Sequence, residues 1–485
     1  MKKGTLLITI LILISSLFSS CSSITDGQGP DNILYVKADA EGNCSSWEKA
    51  CDLSTALDSA EAGGEIWVSA GIHKPKWDPV ITWESYSFQL KEGVAIYGGF
   101  TGVEAERDQR DWSANLTLLS GDLEGDDLSN ANGVVENPEN IQGFNSVAVV
   151  IIGEVTENTR LDGFVITAGD GIGYKGGGLY NKGGSPTLEN LIFIGNRATN
   201  GGGLYNEGGS PTLKDVAFHS NTADWGGGIY NDKGSPVLSK VTFSGNSAEW
   251  GGGMVTMGGS PRLTDCVFSG NKATTGGGMY TDFLARPNLV NVSFSLNVAD
   301  EMGAGMYSNH SFPTLINSIF YSNVAQVGGG MLNAMESKPV LINVTFAKNV
   351  AQRGGGMSNA FNSNPNLINV ILWDNRGQGD TAQIQSTDVS QAIIAHSLVQ
   401  GSGGSGDQWN TSLGVDAGGN LDADPLFLDA ATSCILHCDL HLKPGSPAID
   451  AGDNNAIPAE ILTDLDGNPR ISGDTVDMGA YELGE

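Results

Sequence analysis

The sequence predicts an all-β protein: one parallel β-helix, or solenoid, with a short capping helix at its N-terminal end. Three observations carry that prediction. A unit of 25 to 27 residues recurs eight times between residues 176 and 377, opened by a Gly-rich triplet at 176, 201, 226, 251, 276, 303 (Gly-Ala-Gly), 328 and 354. In each unit a Pro is followed two residues later by Leu, from Leu188 to Leu367, and ten residues later by Asn, from Asn196 to Asn375. Three residues before each Asn stands Phe, with Leu372 the exception. The glycines and the proline of every unit exclude paired helices, and leucine-rich spacing is absent. Runs such as Leu188-Glu-Asn-Leu191-Ile-Phe193 place apolar residues at strand intervals and lead into turn signals. Short strands joined by Gly-rich turns, one set per coil, stack equivalent residues into ladders about 4.8 Å apart.

In chain order, residues 1–20 read as a lipoprotein-type export signal: Lys2 and Lys3, an apolar run over 6–14, then small residues up to Cys21. The run is shorter than the roughly 20 apolar residues that cross a bilayer. Leu17-Phe18-Ser19-Ser20-Cys21 resembles a bacterial lipobox, with Phe18 where Leu is usual, and the resemblance implies lipidation of Cys21. An ordinary signal peptide is the alternative. Residues 21–32 form a polar tether. Residues 33–175 read as a cap and irregular coils: 52–60 has a helical pattern ending at Gly63-Gly64, and 66–68, 94–100, 116–119, 147–152 and 161–167 are strand-like. Residues 176–377 are the regular array. Residues 378–485 hold C-terminal coils and a closing segment, reached through two Gly/Ser/Asp-rich loops at 401–408 and 414–424.

The columns assign roles. Leu on Leu and Phe on Phe build the core, while stacked Asn amides bond one another and satisfy backbone groups at a bend. A second polar column, Asn181, Asn206, Asn231, Thr256, Thr281, Ser308, Asn333 and Asn359, reads the same way. The Gly triplets supply positive φ or close backbone stacking at a corner. No Lys-Ser/Thr follows them, so they are not phosphate loops. With 25 Lys+Arg against 55 Asp+Glu the net charge is −30, which repels nucleic-acid backbones. Cys44 with Cys51, and Cys434 with Cys438, are candidate local disulfides of an exported protein. The stretch from Cys434 to His441 also has the composition of a zinc site, the lesser alternative. Cys266 stands where other units mostly carry Val and reads as a buried thiol.

Gly-Gly-Gly-Leu-Tyr-Asn at 176–181, with Phe193-x-x-Asn196, resembles bacterial right-handed β-helix repeat proteins of the pectin-lyase-like superfamily. The Phe-x-x-Asn element also resembles repeats of chlamydial polymorphic outer-membrane proteins. The segments 88–100, 444–450, 464–470 and 477–482 are similar to the flanks of exported choice-of-anchor proteins. The resemblance implies a right-handed coil. It implies little about activity, because that fold hosts lyases, hydrolases, adhesins and inert stalks.

Candidate chemistry lies in the turn before each triplet. Asp224-Trp225 and Glu249-Trp250 fall one coil apart, and paired acids beside aromatics suit a sugar ring, cleaved or merely bound. Solvated turn surface is the bland alternative. No basic residue joins the pair from adjacent coils, which counts against a lyase. Tyr180, Tyr205, Tyr230, Tyr280 and Tyr307, broken by Val255, form a further column, read as packing beneath a neighbouring turn, with an exposed ladder for carbohydrate or a partner as the alternative. Asp464, Asp466 and Asn468 contain part of a calcium loop without its distal Glu, so a turn is favoured over Ca²⁺, the one cofactor in view. The expected function is a non-catalytic cell-surface lipoprotein, a monomeric scaffold for adhesion or glycan binding, held at the outer membrane or cell surface by its lipid. Its partners are then a polysaccharide or a host or neighbouring cell surface, and not nucleic acid. The runner-up is a polysaccharide lyase or glycoside hydrolase working through Asp224 and Glu249. A passive stalk is third.

Overall fold

Each repeat unit closes into one coil, and equivalent residues pair in parallel from coil to coil. Leu188 pairs with Leu213 and Leu213 with Leu238, while Phe193 pairs with Phe218 and Phe218 with Phe243. The computed structural model describes residues 32–76, 82–378, 382–429 and 439–484. Cys21 with its signal, and Cys434 and Cys438, lie outside these described residues. Among the described residues the strands form three parallel sheets. The largest takes two segments from most coils. The second has eleven strands, from Phe88–Leu90 to Ile384–Ser386, and the third has six, from Asp170–Lys175 to Val298–Met302. No helix among the described residues is long and apolar enough to cross a membrane.

The interior is built from the predicted ladders. Phe193 through Phe346 are fully buried, each ring stacked on the next at 4.4–5.2 Å with interplanar angles of 11° or less. From Asn196 to Asn375 each amide Nδ2 donates to the Oδ1 one coil on at 2.9–3.1 Å. The same Nδ2 also donates to a carbonyl of the preceding coil, Ile166 O for Asn196 and a Phe carbonyl from Asn221 on, as Asn271 does to Phe243 at 2.9 Å. A buried amide is thereby satisfied at nearly every valence. The column ends on Gln383, whose Oε1 accepts from Asn375 at 2.7 Å. The second polar column runs Asn181 to Asn206 to Asn231, with each amide contact at 2.7 Å. At Thr281 and Ser308 it turns to the hydroxyl of Ser311.

Both expected uses of the Gly triplet occur, at different positions. The first glycine of every triplet has φ between +63° and +70°, which closes the corner. At the middle glycines Gly227 and Gly252 a Cβ would come within 2.6 Å of carbonyl oxygens in the next coil. Such an approach favours a missing side chain, although Ala304 holds the middle position in one coil.

At the N-terminal end, α1 (Leu53–Ser59) is capped by the Asp52 carboxylate accepting from Thr55 N–H at 3.0 Å. Leu53, Ala56 and Leu57 face the core, covering the first coil where an open sheet edge would otherwise be exposed. A disulfide joins Cys44 to Cys51 just before it. Between 121 and 145 the chain leaves the coil and lays Val134 against Leu118, Val165 and Ile194. At the other end Trp409 packs on the core and donates its N–H to Gly414 O at 2.9 Å.

Beyond residue 421 the chain folds back along the outside of the largest sheet as a strap. Phe427, Leu440, Leu442 and Met478 pack on Ile319, Tyr321, Ile371 and Leu398. A column of asparagines fastens it: Asn317 Nδ2 donates to Thr463 O at 2.8 Å, Asn343 Nδ2 to Asp477 O at 2.8 Å, and Asn369 Oδ1 accepts from Asp453 N–H at 2.7 Å. Within the strap the buried Arg470 pairs with Glu482 at 2.6 Å and donates to the carbonyls of Gly479, Ala480 and Tyr481.

Candidate functional site

The third and second sheets meet at the glycine corner, and their outer faces form an elbow. Strand ends of the third sheet carry Trp225 and Trp250, which pair in register. Their rings stack at 5.0 Å with an interplanar angle of 9°. Tyr280 of the second sheet meets both edge-on, at 6.1 and 5.4 Å. Val255, Tyr307 and Leu332 complete this external cluster, so the tyrosine column packs beneath the neighbouring turn as expected. Burial raises the phenol of Tyr307 to about 12 and pushes that of Tyr280 well above its ordinary value. These tyrosines are neutral at any physiological pH.

Trp225 and Trp250 remain partly exposed. Trp47 donates its indole N–H to Glu104 O, Trp67 to Glu65 Oε2 and Trp409 to Gly414 O, whereas Trp83, Trp112 and Trp373 have no acceptor among the described residues. Among the described residues neither Trp225 nor Trp250 has an acceptor for its indole N–H, and neither nitrogen is buried. Two free donors therefore stand one coil apart on the rim of the elbow.

The acids lie elsewhere. Asp224 and Trp225 are consecutive in the strand Thr222–Trp225, as Glu249 and Trp250 are in Ser247–Trp250, so alternation turns carboxylates and indoles to opposite faces. Both carboxylates are exposed and unpaired among the described residues. The outward face they share also carries Arg197 and Lys272, at strand positions two residues earlier in their coils. Neither cation pairs with Asp224 or Glu249 among the described residues. The two cations sit outside the acid column itself, and period-two alternation is the signal that finds them. Arg197 is held in a two-pronged pair with Asp170 at 2.9 and 2.8 Å, and Lys272 lies 3.8 Å from Asp300. Arg197, Thr222 and Ser247 line a hollow of about 550 Å³ with Asn137 and Glu139 of the 121–145 excursion.

The calcium candidates are placed as a turn. Asp464 is fully buried, and its carboxylate accepts from the backbone N–H of Asp466, Asn468 and Glu482 at 3.0, 2.8 and 2.9 Å. Asp466 turns away to His441 Nε2, at 2.7 Å. A different set, Asp122, Asp126 and Asp127, brings carboxylate oxygens within 4.8 Å of one another and is the grouping among the described residues with the donors for a divalent cation. Part of it is already engaged, since Asp127 accepts from Gln142 N–H and Asn145 Nδ2.

This geometry defines the class: a right-handed parallel β-helix. The family described as "Right handed beta helix region" matches residues 140–320. Among solved structures, pectate lyase Pel9A superposes with a TM-score of 0.43 at 13% identity, over 94% of this chain and 97% of that one. XylC, solved in complex with xylose, superposes with a TM-score of 0.39 at 10% identity, over 93% of this chain and 99% of that one. Neither likeness bears on activity. No curated protein matches the sequence.

Proposed function

We propose that this chain is a non-catalytic scaffold, displayed at the cell surface, that binds glycans along its outer face and so serves adhesion. The observation that supports it is the pair of free indole donors on the rigid, partly exposed Trp225–Trp250 stack. Sugar hydroxyls accept from such donors, and the apolar face of a pyranose packs on aromatic edges and rings. A general acid–base pair needs carboxyls converging on one bond, with a perturbed environment for at least one of them. Asp224 and Glu249 are open to solvent and face away from the indoles.

Screening of neutral and acidic oligosaccharides tests the reading. Trp225→Ala and Trp250→Ala are each expected to weaken binding by about 1 kcal/mol. Trp225→Phe keeps a smaller ring in the stack and removes the donor, so it should lose part of that. Asp224→Asn and Glu249→Gln should leave binding of a neutral glycan unchanged. Indifference to all the tryptophan changes would make this rim plain turn surface.

The surface placement rests on the lipobox-like segment, and is checked by fractionating cells that express Cys21→Ser. Lipidation needs the thiol, so the variant should leave the membrane fraction. Retention after a salt wash would put the anchor elsewhere.

A further inference from the structure

We propose that the corner following the second sheet, in coils five to eight of the array, is a separate binding site for a neutral oligosaccharide. Earlier coils turn this corner with Gly183, Gly208, Lys233 and Gly258, all at positive φ. Later coils put Phe283, His310, Met335 and Phe361 into the same left-handed conformation, with φ from +43° to +55°, and Leu284 follows at +62°. Bulky side chains are strained there, and Gly would close the corner without strain. Burial does not repay the strain. Phe283 is 66% exposed, Leu284 and Phe361 54%, and Met335 48%. Strained residues that gain nothing from the fold point to something outside it.

The corner is held rigidly. Leu284 N–H donates to His310 O at 2.8 Å, His310 N–H to Ala334 O at 3.1 Å and Glu336 N–H to Phe361 O at 2.9 Å, so each coil fixes the next. Phe283 and Phe361 stand three coils apart, roughly 14 Å at strand spacing. Between them opens a hollow of about 510 Å³, within the range of small-ligand sites. Its polar groups are Asn309, His310 and the carboxylates of Asp282 and Glu336, and no Lys or Arg lines it. Asp282 is set in place by Tyr280 Oη and Asn309 Nδ2, both at 2.9 Å.

Aromatic platforms at the ends, hydrogen-bonding groups between them and a repeat close to the rise of one pyranose per coil suit an extended sugar chain. The two carboxylates, on a chain of net charge −30, disfavour uronates and sulfated glycans. A second copy of the chain is a poor occupant. The four apolar side chains expose roughly 400 Å² together, about half of what each partner of a stable dimer buries.

The test is calorimetric titration of the full chain with gluco-, xylo- and manno-oligosaccharides and with oligogalacturonate, comparing wild type, Phe283→Gly/Phe361→Gly and Trp225→Ala/Trp250→Ala. At least one neutral oligosaccharide should bind, and the Phe variant should bind it about tenfold more weakly, as expected for two lost ring contacts. Its melting temperature should hold or rise, because Gly relieves the left-handed strain, which separates lost binding from lost fold. The Trp variant should retain this binding. The proposal is overturned if the Phe variant binds like wild type, if only oligogalacturonate binds, or if no oligosaccharide binds. It is equally overturned if wild type sediments as a dimer that the Phe variant dissolves. A loss confined to the Trp variant sinks this site and leaves the elbow reading standing.

Discussion

Arg470→Ala should loosen the C-terminal strap by about 3–5 kcal/mol, the usual loss when one partner of a buried ion pair is removed. The guanidinium is 1% exposed and Glu482 3%, so the carboxylate left behind has no water to replace its partner. The carbonyls of Gly479, Ala480 and Tyr481 lose their donor in the same step. Because the strap lies outside the coils, the damage should show as early proteolysis and fast amide exchange over 453–482, with the array still folded. Adding Glu482→Gln should recover part of the loss by removing the stranded charge. Unchanged protection of the strap in Arg470→Ala would mean the pair does not fasten it.

Asn271→Leu should destabilise the array by roughly 4 kcal/mol, at about 1–3 kcal/mol for each buried group left without a partner. Leu leaves no cavity, and being bulkier than the planar amide it adds some overpacking to the lost hydrogen bonds. Phe243 O and Asn246 N–H lose their side-chain partner outright, while Asn246 Nδ2 keeps Phe218 O and Asn297 Oδ1 keeps the backbone N–H of residue 271. All are buried mid-column, where no water reaches. The shift in denaturant midpoint measures it, and an unchanged midpoint would contradict an interior amide ladder.

The array was legible because stacking converts sequence period into spatial contact. Leu188, Phe193 and Asn196 meet Leu213, Phe218 and Asn221 one period away, so the columns in the sequence are the ladders in space. Gly226 and Gly227 were readable as a corner, though not as two demands, positive φ at one and close approach at the other. The strap was not legible. Asn317 reaches Thr463 across 146 residues and Asn343 reaches Asp477 across 134, with no period linking them. The site was half legible. The Asp224-Trp225 and Glu249-Trp250 columns are real neighbours, but side-chain alternation splits acid from indole, and the nearby cations Arg197 and Lys272 pair with Asp170 and Asp300 instead. The Phe283 and Phe361 corner escaped notice because its meaning depends on φ and exposure, which a list of residues does not carry.

The measurement that bears most directly on a binding scaffold is product analysis of whichever glycan the protein captures. Incubated with that glycan at length, wild type should release neither new reducing ends nor unsaturated products, while binding stays saturable. Turnover that disappears in Asp224→Asn or Glu249→Gln, with binding intact, would contradict the scaffold and make this outer face an active site.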